Sequence, residues 1–333
     1  MVYTIQRLIR TTDAAVAAAY LAVFRERSAL LTFLFHSLFE DERQICLNVI
    51  DPLDRTTVER FRQFVAYYVA HGYRFIGPEA IAEGLAADGK YALLTFDDGY
   101  FNNRLALPVL EELGVPALFF ISTENVRLGK CFWWDVLYRE RVARRAAPAD
   151  VDREREWLKT LTTERIEQHL VAEFGGDCLS PRGDIDRPFT PNELREFSRH
   201  RCVRIGNHTA NHAILTNYSP EDARRQVAGA QEWLAATVGA DPGAIAYPNG
   251  AYNGEVVRSC RDAGLTLGFT VRPRKTSLPL DAKSPDRLMC IGRFTPHAES
   301  AMDVQGRTYR SDVQLYDKFR SGYLKLRGRQ EVE

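Results

Sequence analysis

The sequence predicts an α/β fold of the (β/α) barrel class with a helical insertion, and three observations carry that prediction. Short apolar runs alternate with amphipathic helical runs over most of the chain, which is the pattern of parallel βα units. The polar motifs at His36, Asp97-Asp98, His208 and Pro248-Asn249-Gly250 each follow directly on an apolar run. That is where a barrel builds its site, from the loops at the C-terminal ends of its strands. The alternation is interrupted once, between Gly129 and Pro188, by charged helical sequence.

Taken in order, residues 4 to 27 are Ala-rich without Pro or Gly and predict a helix. Leu30 to Phe35 is a continuous apolar strand ending at His36, suited to burial on both faces. Thr56 to Gly72 places Val58, Phe61, Phe64, Val65 and Tyr68 at helical spacing, a core face. Tyr73 to Ile76 predicts a short strand and Pro78 to Ala87 a short helix. Tyr91 to Phe96 predicts the strand that ends in Asp97, and Leu105 to Leu113 a helix closed by Gly114. Ala117 to Ile121 is the next buried strand. Both charge signs are interspersed through most of the insertion, which predicts a solvated helical surface. Phe132-Trp133-Trp134-Asp135 stands apart there, either as core or as an aromatic platform for a sugar ring.

Pro191 begins a capped helix that runs to His200, and Val203 to Gly206 is a strand leading into His208. Pro220 to Val238 predicts a long helix, Ala244 to Tyr247 a strand, Glu255 to Ala263 a helix and Leu267 to Thr270 a strand. Asp286 to Phe294 is expected to carry the last strand, with Arg293 near its end. The domain organisation that results is an N-terminal helix over 1–29 packed on the barrel, the barrel over 30–300 with its insertion at 130–188, and a tail over 301–333.

Composition narrows the function classes. The chain has 333 residues, long enough for one large domain or two small ones. Lys plus Arg and Asp plus Glu number 44 each, so net charge gives no argument for nucleic acid or an anionic membrane as partner. The six cysteines, at 46, 131, 178, 202, 260 and 290, show no CxxC and no regular spacing. They read as thiols of a reducing compartment. The apolar stretch Ala14 to Phe24 is interrupted by Asp13 and followed by Arg25-Glu26-Arg27, where a signal peptide would carry small residues. It is also too short to span a bilayer. Cytoplasmic residence is therefore expected, and nothing in the sequence sets the oligomeric state.

Two adjacent carboxylates at a buried strand end repel each other and lose hydration, so Asp97 and Asp98 call for a cation beside them. Asp-Gly is also ordinary turn chemistry, and the pair alone is compatible with a solvated turn. His208 and His212, separated by three residues, would lie on one face of a helical turn and grip a single metal ion.

In the order Thr95-Phe96-Asp97-Asp98-Gly99, then Gly206-Asn207-His208-Thr209 with His212, then Ala246-Tyr247-Pro248-Asn249-Gly250, the chain resembles the polysaccharide deacetylases. These are the NodB-homology enzymes of carbohydrate esterase family 4, and the likeness covers roughly residues 30 to 300. The resemblance implies a distorted (β/α)7-type barrel and a divalent metal, Zn²⁺ first, with Co²⁺, Ni²⁺ and Fe²⁺ also fitting the donors. It implies Asp98, His208 and His212 as metal ligands and Asp97 as the general base. Asn249 would supply the oxyanion N–H, with Tyr247, Trp133 and Trp134 beside the substrate, an N-acetylated amino sugar.

Two departures from the family pattern matter. The late Leu-x-Leu-x-His motif is missing, and His297 matches it poorly. Leu34-Phe35-His36 instead looks like the permuted version of the poly-N-acetylglucosamine deacetylases, which makes His36 the expected general acid. Ala246 stands where many relatives carry the Arg that tethers the base, and Arg293 is the expected substitute. Two other readings stay open: hydrolysis of a cyclic imide or ureide, and a silent glycan-binding domain.

Overall fold

The computed structural model describes residues 2–52, 55–239, 242–281, 284–297 and 301–312, with side chains from residue 12 onward. The C-terminal part of the expected tail lies outside these residues. Eight strands form one sheet: β1 (Ala29–Phe35), β2 (Arg74–Phe75), β3 (Lys90–Phe96), β4 (Ala117–Ile121), β5 (Val203–Asn207), β6 (Ala244–Ala246), β7 (Leu267–Phe269) and β8 (Thr276–Ser277). The run β1-β3-β4-β5-β6-β7 is parallel throughout. β2 pairs with the start of β3, and β8 lies antiparallel on β1.

The sheet curls until its two ends nearly meet, and residues 291–294 bridge the gap. Ile291 pairs with Phe269 of β7 and Phe294 with Phe33 of β1, both in parallel. This segment was expected as a full strand beginning at Asp286. Instead Pro285–Leu288 is a helical turn and only the two bridges form. Pro285 sets the turn, since it pre-forms helical φ at a first position and donates no ladder hydrogen bond.

The pleat decides what faces inward. Leu30 of β1, Leu93 of β3, Leu118 and Phe120 of β4, Ala244 and Ala246 of β6, and Phe269 of β7 share one buried interior cluster. Their neighbours Phe33, Phe35, Leu94, Phe96 and Phe119 face the helices and pack on Phe61, Phe64 and Tyr68. Side chains alternate with period two, so Thr95 and then Asp97 continue the inward row of β3. The β1–β3 register pairs Phe35 with Phe96, and the β4–β5 register pairs Ile121 with Asn207. Strand ends are thereby level, and the residues that follow them share one end of the barrel.

The helices sit where their caps predict. Thr190 and Glu193 form a capping box for Pro191–Phe197, and the Ser219 side chain accepts from the Asp222 amide at the start of Pro220–Val238. The insertion contributes helices Trp133–Ala143, Pro148–Leu158 and Thr163–Phe174. At the other end of the barrel Glu26 joins three parts of the chain. Its carboxylate accepts from Tyr73 (2.6 Å), Lys90 (2.6 Å) and Arg310 (3.0 and 2.9 Å). Helix Val2–Val23 is thus tied, through the residues after it, to helix Met302–Arg310. Among the described residues no helix is long and apolar enough to cross a membrane.

Candidate metal centre and active-site cavity

Asp97 and Asp98 leave β3 in different directions because the backbone turns sharply between them. Asp98 has φ +77° and Gly99 φ +92°, two consecutive residues in the left-handed region. Glycine is needed at the second, where a Cβ would press within 3.2 Å of the Ile121 side chain. Asp97 continues the inward row, and its amide donates to the Phe35 carbonyl at 2.9 Å.

Arg293 meets Asp97 from the closing segment. Its guanidinium donates to both carboxylate oxygens, at 2.7 and 2.8 Å, and also to the Thr95 hydroxyl (3.1 Å) and the Thr270 carbonyl (3.0 Å). The whole side chain is buried. Burial alone would raise the Asp97 pKa, but Arg293 foremost, then His208 and His36, outweigh it and hold the carboxyl down at about 2. The cation that the Asp pair demands is therefore Arg293, placed from across the barrel closure.

Asp98 has a different environment. Both of its oxygens are buried and neither has a hydrogen-bond partner. Oδ1 lies 3.4 Å from His208 Nε2 and 3.5 Å from His212 Nε2. His208 Nδ1 lies 2.8 Å from the Ala246 carbonyl, which can only accept, so Nδ1 is the donor there and Nε2 is the ring nitrogen turned toward Asp98. Burial first, then His208, pushes the His212 ring down to about 3, so that ring is neutral. The three donor atoms lie within 4.8 Å of one another. Four-coordinate zinc with bonds of about 2.1 Å separates its ligand atoms by roughly 3.4 Å. An orphaned carboxylate facing two imidazole Nε2 atoms at this spacing fits a divalent cation.

The His pair does not ride on a helical turn as its spacing suggested. Thr209 and His212 have φ of +65° and +53°, and residues 209–211 form a turn. The Thr209 amide donates to Asn207 Oδ1 and the Ala213 amide to Thr209 Oγ1, both at 2.8 Å, which replaces helical bonding with side-chain bonding. The loop is also latched to the insertion. Glu164 accepts from Asn211 (2.8 Å) and Tyr218 (3.1 Å), and Asn217 donates to the Lys159 and Leu161 carbonyls at 2.8 and 2.9 Å.

The family profile described as polysaccharide deacetylase matches residues 85–268, more than half of the chain. The chain belongs to the polysaccharide deacetylase family. YxkH of Bacillus subtilis (strain 168), itself assigned as a polysaccharide deacetylase, is 22% identical over 228 residues, 67% of this chain and 61% of that protein. The chain thus spans less than two thirds of the length of that relative. Among solved structures, the Streptococcus pyogenes deacetylase PplD in complex with acetate superposes with a TM-score of 0.57 at 16% identity, covering 85% of this chain and 99% of that one. IcaB from Ammonifex degensii does so with 0.55 at 17% identity, covering 86% and 98%. These likenesses establish the curled α/β barrel that the sequence predicted.

In this deacetylase-family chain a cavity of about 410 Å³ opens over the Asp and His cluster. Its walls include His36, Asp97, Asp98, His208, His212, Asn249, Trp133 and Trp134. His36 is half-buried, and Asn103 holds its carbonyl at 2.6 Å. His297 does not line the cavity; it is tied to Gln305, which donates to its carbonyl at 2.7 Å. Asn249 is exposed on the cavity rim with φ +57°.

Tyr247 corrects the expectation of a substrate contact. Its ring is fully buried, stacked on Tyr252, and its hydroxyl donates to the Met289 carbonyl at 3.1 Å. Residue 247 faces away from the cavity because the alternation along β6 turns Ala246 inward. Trp133 and Trp134 belong to the insertion's core and also line the cavity. The Trp134 ring lies 4.5 Å from the His212 ring, and its Nε1 donates to Tyr100 at 2.9 Å. Three charged wall residues were not anticipated as site residues: Asp51, Arg155 and Lys159.

Proposed function

We propose that this protein is a metal-dependent hydrolase that removes N-acetyl groups from amino sugars of a polysaccharide or glycolipid precursor. The observation that carries the reading is Asp98, whose buried and unpartnered oxygens face two imidazole Nε2 atoms beside the Asp97–Arg293 pair. Asp98, His208 and His212 would hold the ion, Zn²⁺ first among those that suit imidazole and carboxylate. When bound, a divalent ion at these donors supplies Lewis-acid polarisation of water and of the acetamide carbonyl.

Asp97 takes the proton of the attacking water, and Arg293 keeps that carboxylate ionised and fixes its plane. The Asn249 amide is the oxyanion donor. His36 gives its proton to the sugar nitrogen as the carbon–nitrogen bond breaks, so acetate and a free amine leave. Trp133 and Trp134 offer an apolar face to the sugar ring. The N-terminal helix, the barrel with its insertion and the C-terminal helix act as one unit in this reading. The six free thiols support cytoplasmic residence, which favours a precursor over a finished extracellular polymer as substrate.

The test is acetate release from N-acetylglucosamine oligomers by the metal-loaded protein, beside Asp97→Asn and His36→Ala. Acetate from the unmodified protein, reduced roughly 100-fold or more in both variants, supports the assignment. Hydrolysis of a cyclic imide with no acetate from any oligomer would contradict it.

A further inference from the structure

We propose that Asp51 and Arg155 form a hydroxyl-recognition subsite for the sugar ring that rests on Trp133 and Trp134; this builds on the deacetylase reading. All four residues line the cavity that holds Asp98. Arg155 lies on helix Pro148–Leu158 of the insertion, and its guanidinium is paired with the Asp51 carboxylate. The pair is recessed, with side-chain exposures of 19% for Arg155 and 10% for Asp51. Arg155 also reaches Asp152 at 3.3 Å, yet its Nε is buried without a hydrogen-bond partner. A recessed carboxylate beside a guanidinium presents an acceptor and a donor at fixed spacing, the complement of two neighbouring hydroxyls.

A single buried group aligns both halves of the subsite. Asp135 is fully buried, and its Oδ1 accepts from the Asp51 amide at 2.8 Å. Its Oδ2 accepts from the Tyr100 hydroxyl at 2.6 Å, and that hydroxyl accepts from Trp134 Nε1 at 2.9 Å. No cationic side chain is among the hydrogen-bond partners of this carboxylate in the described residues. Burying an acid this way costs stability, and what it holds in place is the polar edge at Asp51 and the aromatic platform at Trp134.

Charge on this wall selects the ligand class. Arg155 is matched by Asp51, and Lys159 by Glu156 at 3.0 Å. Among the described residues the wall therefore has no uncompensated cation to attract a phosphate or carboxylate, and it suits a neutral, hydroxyl-rich ring. Cyclic imides and ureides carry no vicinal hydroxyls and would not use it.

The experiment compares metal-loaded, full-length protein with the double variant Asp51→Asn/Arg155→Met, which removes both charges together and leaves neither one buried alone. Two readouts are taken: steady-state kinetics on N-acetylglucosamine tetramer, and calorimetric binding of glucosamine tetramer, which cannot turn over. We expect KM and the product Kd to rise about tenfold with kcat changed less than twofold, the signature of lost uniform binding. The two single variants should show the same split. The inference is overturned if KM and Kd stay within twofold while acetate is still released, or if millimolar inorganic phosphate competes with the tetramer through these residues. If the unmodified protein binds glucosamine tetramer, loses that binding in the double variant and yet releases no acetate, the subsite stands and the deacetylation reading fails.

Discussion

Replacing Arg293 with Met leaves the Asp97 carboxylate buried and without its cation. Three of the four hydrogen bonds that the Arg293 guanidinium makes go to Asp97 and Thr95, and the Asp97 side chain is 5% exposed. Removing one partner of a buried ion pair costs about 3–5 kcal/mol, most of it the penalty of the charge left behind. Asp97→Asn alone strands the guanidinium and should cost a similar amount. The double variant strands nothing, so its cost should fall short of the sum of the two singles by about 2 kcal/mol or more. Urea unfolding of chelated protein reads this without metal linkage. With an m-value of about 3 kcal/mol per M, each single variant moves the midpoint down by about 1 M or more. Additive effects, with coupling within about 0.5 kcal/mol, would refute the claim that Arg293 is the counter-ion of the base.

Other outcomes follow from the same geometry. Burial would raise the Glu26 carboxyl, but Arg310, Lys90 and Tyr73 hold it at about 2, against 4.5 normally. A depressed folded-state pKa gives stability that is complete above the unfolded value and is lost as pH falls towards 2. Glu26→Gln should therefore remove about 1–2 kcal/mol, after screening, of the stability lost between pH 5 and pH 2, read by thermal unfolding against pH. An unchanged acid limb would rule out that account. Glu164→Ala frees the His loop from the insertion and should weaken Zn²⁺ binding about fivefold, with Glu164→Gln intermediate; equal affinities by chelator competition would show that the latch plays no part. His297→Ala should keep most acetate release while His36→Ala loses it, and the reverse order would exchange their roles.

Much of the site was legible because its signals are local. An apolar run ending in Asp97-Asp98-Gly99 specifies strand, polarity and turn within eight residues, and level registers then carry those ends to one face. Arg293 was anticipated at its place, although the segment that bears it makes only two bridges instead of a strand, because Pro285 starts a turn just before it. The His208-to-His212 spacing specified proximity but not conformation: two left-handed residues and side-chain hydrogen bonds, invisible to periodicity, replaced the helix. Tyr247 was misplaced because a motif does not say which face of a three-residue strand its last neighbour takes. Asp51 and Arg155 carried no signal of their own. One lies in a polar loop and the other among interspersed charges that read as solvated surface, and only tertiary packing of the insertion brings them to the cavity.

The most direct measurement is metal content against acetate release for one preparation, stripped by chelator and reloaded stepwise with Zn²⁺, beside His212→Ala. The account predicts that acetate release from N-acetylglucosamine oligomers rises in proportion to bound metal and saturates at one ion per chain. His212→Ala should hold the ion weakly and release little acetate. Full activity in the stripped protein, or one tightly bound ion per chain in His212→Ala, would contradict a centre built on Asp98, His208 and His212.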